Sequence, residues 1–213
     1  MGPARALAEA ALESGAEVIM AEPARKLVTV AEFLAFEGEG DRRYELVGGE
    51  IVMMAPPVGA HGLLVARLAG ALASALRRPC EPRAEAGIAL PWSDTDFFVA
   101  DLVVSCERAD LREPHTRTPL LIAEVLSPAT AARDRTVKLP AYRRLPSVRH
   151  VLLLAADRCA VEHYARTGPF WRLVDLGPGD VLRLEDLAVE IPLDALYEGL
   201  LAEEPAAHPN PPA

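Results

Sequence analysis

The segment Phe97–Leu126 decides the fold of this chain, and it reads FFVADLVVSCERADLREPHTRTPLLIAEVL. It contains two short aliphatic runs, 97–104 and 120–126, each bounded by polar residues or proline. Runs of this length and composition are typical of buried strands. Each run carries one acid near its middle, Asp101 in the first and Glu124 in the second. The segment therefore predicts two neighbouring strands, each with a carboxylate in an apolar setting.

These two acids need a compensating partner, because an isolated ionised carboxylate in an apolar environment is strongly disfavoured. Two carboxylates on neighbouring strands can share a cation, and Mg²⁺ takes oxygen ligands of this kind. The alternative is that each acid lies at a strand end, solvated or paired with an arginine. The presence of both acids favours a metal site formed by Asp101 and Glu124.

The bulk composition indicates an ordinary globular domain. The chain has 213 residues, of which 51% are hydrophobic and 25% charged, enough for one sizeable core. The net charge is −9, whereas non-specific binding to nucleic acid requires an excess of positive charge. The composition therefore argues against a nuclease unless one face of the protein is locally basic. The sequence also contains neither an apolar run of membrane-spanning length nor a signal-peptide pattern. Cysteines 80, 106 and 159 lack metal-ligand spacing, and we interpret them as reduced thiols of a cytoplasmic protein.

Helices and strands follow one another without strict alternation. Predicted helices span Val30–Glu37, with Thr29 as N-cap, then 59–77, 131–144 and 192–201. Predicted strands span 81–90, 97–104, 120–126, 150–155, 160–164 and 171–175, besides a hairpin over 42–54 that turns at Gly48-Gly49. We therefore predict an α/β (α+β) fold with a mixed β-sheet flanked by helices.

We divide the chain into three parts. Residues 26–201 are predicted to form the folded domain. Residues 1–25 are interpreted as an N-terminal extension, a weak helix or disordered, within which Met20 is a candidate translation start. Residues 202–213 are acidic and then rich in proline and alanine, which predicts a disordered tail.

Three further residues are candidates for the site. Lys138 lies on the helix after Glu124 and could direct its ammonium group at whatever the acids hold, which would offset negative charge in phosphoryl transfer. Alternatively, it forms an ordinary surface pair with Asp134, four residues earlier. Glu45 is a third acid or a general base, or it faces solvent. His61 binds a phosphate at a helix start or caps that helix.

Several motifs of the chain resemble one known family. They are RYELVGGEI at 43–51, the proline pair at 56–57 with His61, DLVV at 101–104, and EVLSPAT at 124–130 followed by Asp134, Lys138 and Tyr142. Together they resemble the Uma family (the "Uma-two" type) of endonucleases, which belongs to the PD-(D/E)xK, restriction-endonuclease-like superfamily. The resemblance covers roughly residues 27–198.

The resemblance implies a restriction-endonuclease-like mixed sheet with a metal site at one end. Asp101 and Glu124 would bind Mg²⁺ or Mn²⁺. Lys138 would be the catalytic lysine moved to the helix, since Leu126 occupies the usual lysine position. Glu45 would be an additional acid and His61 a neighbour of the site.

Two residues depart from the family's pattern. Ala100 stands where a proline usually precedes the first acid, and Pro140 lies inside the helix that carries Lys138. A proline within a helix removes one hydrogen bond and crowds the preceding turn, so it bears directly on where Lys138 points.

The resulting hypothesis is a metal-dependent endonuclease that hydrolyses DNA phosphodiester bonds, as a cytoplasmic homodimer without membrane contact. The alternative is a non-catalytic interaction module that retains the nuclease fold. A third interpretation is a metal-dependent hydrolase of small nucleotides, because no motif of the chain reads a base sequence.

Overall fold

A computed structural model describes residues 26–40, 42–54, 56, 59–113 and 115–200. The predicted N-terminal extension, including Met20, and the predicted tail at 202–213 lie outside the described residues. Within the described ranges, none of the helices combines the length and the apolar character that crossing a bilayer requires.

The described residues form helices and strands in the order in which we number them here. The elements are α1 (Val30–Leu34), β1 (Tyr44–Val47), β2 (Glu50–Met53), α2 (Gly59–Ala75), β3 (Glu81–Ala89), β4 (Phe97–Ser105), β5 (His115–Thr116), β6 (Pro119–Leu126), α3 (131–144), β7 (His150–Ala155), β8 (Val161–Thr167), β9 (Phe170–Leu176), β10 (Val181–Leu184), β11 (Val189–Pro192) and α4 (Leu193–Tyr197).

The first nine strands form one mixed sheet, in the order β2-β1-β4-β6-β7-β8-β9, with β3 paired to β4 and β5. Strands β6 and β7 run parallel, as do β3 and β5, and the other neighbours are antiparallel. Strands β10 and β11 form a separate antiparallel pair. The predicted mixed sheet flanked by helices is confirmed.

Helices and the small hairpin cover both faces of the sheet. On one face, α2, α4 and the β10–β11 hairpin enclose an apolar cluster that includes Leu68, Leu121 and Leu152. On the other face, α3 packs Leu139 and Tyr142 against the sheet. The leucines of α2 at four-residue spacing form its buried face, with Leu64, Leu68 and Leu72 buried and Leu76 partly buried against the same cluster.

Strand β4 changes partner halfway along one of its sides. Its start pairs with β1 through Leu46 and Phe97, whereas its second half pairs with β6 from Leu102 opposite Ala123 onward. In the described part of the fold, the backbone between these two pairings has no strand beside it on this side. The fork between β1 and β6 is where the predicted acids lie.

Several local predictions are confirmed, and three strands, β5, β10 and β11, were missed. Thr29 caps α1 through a capping box, in which the Glu32 carboxylate accepts a hydrogen bond from the Thr29 amide at 2.9 Å. The hairpin around Gly48 and Gly49 is also present. The β10–β11 hairpin was not predicted, and α4 is shorter than the predicted helix over 192–201.

The prediction that all three cysteines are reduced was wrong. Cys80 and Cys106 form a disulfide, and Cys159 is free. The two partners meet because they flank the antiparallel pair of Glu81 with Ser105, a register that their separation in sequence does not reveal. Reduced thiols therefore no longer support the expectation of a cytoplasmic protein.

We expect Leu68→Ala to lower the free energy of unfolding by about 2–5 kcal/mol, because it leaves a cavity at a fully buried position of α2. Leu63→Ala is the matched control, since Leu63 lies on the same helix but is 45% exposed, and it should cost well under ~1 kcal/mol. Urea unfolding of both variants measures the difference, and equal costs would contradict the assignment of the buried face.

The histidine pair of β7 and β8 predicts a pH dependence of stability. Nδ1 of His150 lies 3.0 Å from Nε2 of His163, which is buried. Burial, and then the neighbouring His150, lowers the pKa of His163 from 6.5 to about 4. Between these two values the unfolded chain binds a proton that the folded chain does not. The free energy of unfolding should therefore fall as the pH falls through this window, by at most about 3 kcal/mol.

We expect His163→Gln to remove most of the fall in the free energy of unfolding between about pH 7 and about pH 4.5. Urea unfolding at these two pH values in phosphate-free buffer measures it. His115→Gln changes a histidine outside the pair and should retain the wild-type loss. An unchanged pH dependence in His163→Gln would contradict the prediction.

Candidate active site

A cleft of about 310 Å³ opens at the fork between β1 and β6. Its walls come from α2, β4, β6, and the start of α3. The polar side chains of the cleft include His61, Asp101, Glu124, Arg133, Asp134 and Lys138. Four of the five residues predicted for the site therefore line one cleft.

Asp101 and Glu124 are linked by reciprocal contacts. The backbone amide of Asp101 donates to Oε2 of Glu124 at 3.3 Å, and the amide of Val125 donates to Oδ2 of Asp101 at 2.7 Å. These bonds replace the ladder that β4 and β6 would otherwise continue. The structure thus brings both predicted carboxylates to the same place, with Glu124 buried and Asp101 15% exposed.

Lys138 extends from α3 into the fork. Its Nζ atom lies 2.6 Å from Oε1 of Glu45 and 3.2 Å from Oε1 of Glu124, and it donates to the carbonyl of Val99 at 3.1 Å. Asp134 is 3.8 Å away. Lys138 and Asp134 are both buried, so the alternative that they form an ordinary surface pair is wrong.

A wide turn in α3 accommodates the unexpected proline. The helix begins as Ala131–Arg133, passes through a π-helical turn at Asp134–Lys138 and continues as Leu139–Arg144. At this turn the amide of Leu139 donates to the carbonyl of Asp134, five residues earlier. Pro140 follows the turn, and Lys138 nevertheless points inward. Single π-helical turns of this kind occur frequently at functional sites.

Glu45 lies behind Lys138 and is fully buried. Its Oε1 atom accepts from the Val99 amide at 2.9 Å, besides contacting Lys138, and its Oε2 atom lies 3.0 Å from Nη2 of Arg133. The interpretation of Glu45 as a solvent-facing strand residue is therefore wrong. The Oε2 atom thus has an ion-pair contact but accepts no hydrogen bond, and Glu45 does not belong to the cleft wall.

His61 and Tyr142 each hold one of the paired acids. His61, in the first turn of α2, places Nε2 at 3.1 Å from Oδ2 of Asp101. The hydrogen bond to Asp101 raises the pKa of His61, although burial opposes it. The Tyr142 hydroxyl donates to Oε1 of Glu124 at 2.6 Å, and its ring packs edge-on against Phe98.

Sequence reasoning missed two of these contacts. It gave no role to Tyr142 or to Arg133. Tyr142 follows Asp134 and Lys138 at intervals of four residues, which places all three near one helix face. That spacing could have identified Tyr142, whereas no pattern in the sequence indicates that Arg133 reaches Glu45.

Burial shifts the titration of the acids in the cleft. It raises the pKa of Glu124 to about 8 even though Lys138 opposes the shift, and it also raises the pKa of Asp134. Burial by itself would lower the pKa of Lys138, but Glu124 and Glu45 outweigh it and raise that pKa. Lys138 is therefore an ammonium group at neutral pH, a hydrogen-bond donor and not a base.

The donor set suits a hard cation that is only partly held by the protein. Among the described residues, no group of three or more His, Cys, Asp or Glu side chains converges on one metal position. Asp101 and Glu124 nevertheless adjoin each other, and Oδ1 of Asp101 makes no hydrogen bond to another described residue. Mg²⁺ commonly binds one or two carboxylates and completes its coordination with water and substrate phosphate, which these two residues fit.

The chain is similar to several known proteins. Two uncharacterized proteins of Synechocystis sp. are 29% and 24% identical to it, over 71% and 79% of this chain and 88% and 90% of their own lengths. A solved structure from Anabaena variabilis, described as "a putative nuclease belonging to DUF820", superposes with a TM-score of 0.67. It covers 82% of this chain and 99% of its own, at 19% identity, and therefore supports the fold alone.

A family match covers most of the described domain. Residues 30–195 match Uma2, described as "Putative restriction endonuclease", and this range holds every residue of the cleft discussed above. The chain therefore belongs to the Uma2 family of nuclease-like proteins.

Proposed function

We propose that this protein is a metal-dependent endonuclease that hydrolyses DNA phosphodiester bonds with Mg²⁺ or Mn²⁺. The observation that carries the proposal is the meeting of Asp101, Glu124 and the buried ammonium group of Lys138 at one cleft. Membership of the Uma2 family supports a nuclease in general terms, and the cleft supplies the specific residues.

Asp101 and Glu124 would hold the cation. A bound divalent cation supplies Lewis-acid polarisation of the phosphate and makes an attacking water more acidic. In hydrolysis, the water oxygen attacks phosphorus in line with the leaving oxygen. A new P–O bond replaces the ester P–O bond, the attacking water gives up a proton, and the leaving oxygen takes one up.

Lys138 offsets the negative charge that grows on the phosphate during this step. Its ammonium group is held by Glu45, Glu124 and the carbonyl of Val99, so it is positioned before any substrate arrives. Glu45 acts as a positioning residue, because its carboxylate contacts Lys138, Arg133 and a backbone amide and lies outside the cleft wall. Tyr142 fixes Glu124 in the same way.

The cleft offers positive charge to a phosphate despite the acidity of the whole chain. Arg43, which pairs with Glu85, and Arg133, which pairs with Glu45, line its wall together with His61. Phosphate contacts of this kind position a nucleic-acid backbone without reading its sequence. We propose that a two-fold homodimer would bring two such clefts to one duplex, so that paired cuts become possible.

Nicking of supercoiled plasmid tests the catalytic residues. With Mg²⁺ or Mn²⁺ we expect the wild-type protein to convert supercoiled DNA to open-circular and then linear forms. Asp101→Asn, Glu124→Gln and Lys138→Met should each reduce the rate at least ~100-fold, since each removes charge stabilisation of the transition state. Asp157→Asn, at an exposed acid outside the cleft, is the control and should match the wild type. An inactive wild type, or variants as active as it, would contradict the proposal.

Calorimetric titration with Mn²⁺ distinguishes a residue that binds the cation, as proposed for Glu124, from one that positions Lys138, as proposed for Glu45. Glu124→Gln should lose both Mn²⁺ binding and nicking, because it removes a ligand. Glu45→Gln should keep Mn²⁺ binding within about threefold but lose nicking by ~10-fold or more, because the hold on Lys138 weakens. A drop from two bound ions to one in Glu45→Gln would instead identify Glu45 as a ligand of a second metal. No Mn²⁺ binding by the wild type would favour the non-catalytic module.

A further inference from the structure

A second cavity, of about 320 Å³, lies on the other face of the sheet. It is bounded by the start of β7, the end of β8, the start of β9 and the β10–β11 hairpin. His150 and Leu152 are two residues apart on β7, so both side chains lie on the same face of the sheet. Leu152 belongs to the apolar cluster under α2, which identifies that face. Glu124 faces α3 on the opposite side, so this cavity is separate from the active-site cleft.

Arginines dominate the cavity wall although the chain as a whole is acidic. Four arginines line it, against two acids, in a chain with a net charge of −9. The lining charges are Arg149, Arg166, Arg172, Arg183, Glu185 and Asp186. Such a local excess of positive charge raises the local concentration of anions.

The side chains of two of these arginines have no hydrogen-bond or ion-pair partner in the described part of the molecule. Arg166 donates to the backbone carbonyls of Val148 and Leu145, and Arg183 pairs with Glu190 at 3.2 Å. By contrast, the guanidinium groups of Arg149 and Arg172 make no hydrogen bond or ion pair with any other described residue. Two exposed guanidinium groups beside one cavity are therefore available to a ligand.

The floor of the cavity is a hydrogen-bonded chain of polar side chains. Oδ1 of Asp186 lies 2.5 Å from Nε2 of His150, and Nδ1 of His150 lies 3.0 Å from Nε2 of His163. With both rings neutral, Asp186 accepts from His150, which in turn accepts from His163. Nδ1 of His163 is then the remaining polar atom of that ring, and it becomes a donor when His163 is protonated.

We propose that this cavity binds a small phosphate-bearing anion, either inorganic phosphate or a phosphomonoester, with Arg149 and Arg172 as its principal ligands and His163 as a further donor. Arginine forks bind phosphate oxygens in pairs, with charge-assisted hydrogen bonds. The cavity volume suits a small molecule, and the guanidinium groups disfavour a cation between the two histidines.

Protonation of His163 would accompany binding. The groups that face it are His150 from β7, Arg172 from β9 and Asp186 from the turn after β10. Burial, His150 and Arg172 disfavour the imidazolium form of His163, and Asp186 favours it. A bound anion would add a second negative group beside His163 and would therefore raise its pKa.

Isothermal titration with inorganic phosphate, a 5′-nucleoside monophosphate and the unphosphorylated nucleoside tests the proposal. We expect both phosphates to bind and the nucleoside not to bind. Tighter binding of the nucleotide would identify a phosphomonoester as the natural ligand, and equal or weaker binding would identify free phosphate. Failure of both phosphates to bind would overturn the proposal.

Variants and a local spectroscopic signal make the test specific to this cavity. Arg149→Gln/Arg172→Gln should weaken phosphate binding at least ~10-fold. Arg77→Gln/Arg108→Gln removes the same charge at exposed arginines outside the cavity and should leave affinity unchanged. Phosphate should also move the ¹⁵N signals of the His163 imidazole towards the protonated form near pH 6. Equal affinity of the two double variants, or unmoved His163 signals, would overturn the proposal whatever the outcome of the nicking assay.

Discussion

The candidate site depends on a gap in the hydrogen bonding of β4. Between its pairing with β1 and its pairing with β6, β4 has backbone groups that no described strand reaches. Buried backbone groups must be paired, and here side chains pair them. Glu45 accepts from the Val99 amide, Lys138 donates to the Val99 carbonyl, and Glu124 accepts from the Asp101 amide. The same contacts that complete the sheet therefore hold the candidate catalytic groups in place.

This arrangement concentrates charge where the protein interior disfavours it. Glu45, Glu124 and Asp134 are buried around Lys138, and Asp101 adjoins them. Removing one member of such a network leaves an uncompensated buried charge, which is costly. Burial raises the pKa values of Glu124 and Asp134, so the acids exceed what Lys138 balances. An added cation would restore the balance, which connects the fold's own electrostatics with the proposed chemistry.

Local charge, and not the net charge, is what a ligand would meet at either candidate site. The negative total argued against a nucleic-acid ligand, yet arginines line both the candidate active-site cleft and the second cavity. The two candidate sites lie on opposite faces of one sheet and present different side chains. The cleft combines acids with a buried ammonium group, whereas the second cavity combines unpaired guanidinium groups with a histidine pair. One site is thus suited to a phosphate held through a cation and the other to a phosphate held directly.

The sequence by itself determined the strands that carry Asp101 and Glu124, the buried stripe of α2 and the mixed sheet, because apolar periodicity and turn residues are local signals. It also pointed to Lys138 through the spacing that follows Glu124. Only the tertiary structure decided that Cys80 meets Cys106, that Glu45 supports Lys138 from behind, and that a π-helical turn admits Pro140. These features depend on strand register and on the divergence of β1 from β6. Both are set by contacts between residues distant in sequence, which no local pattern encodes.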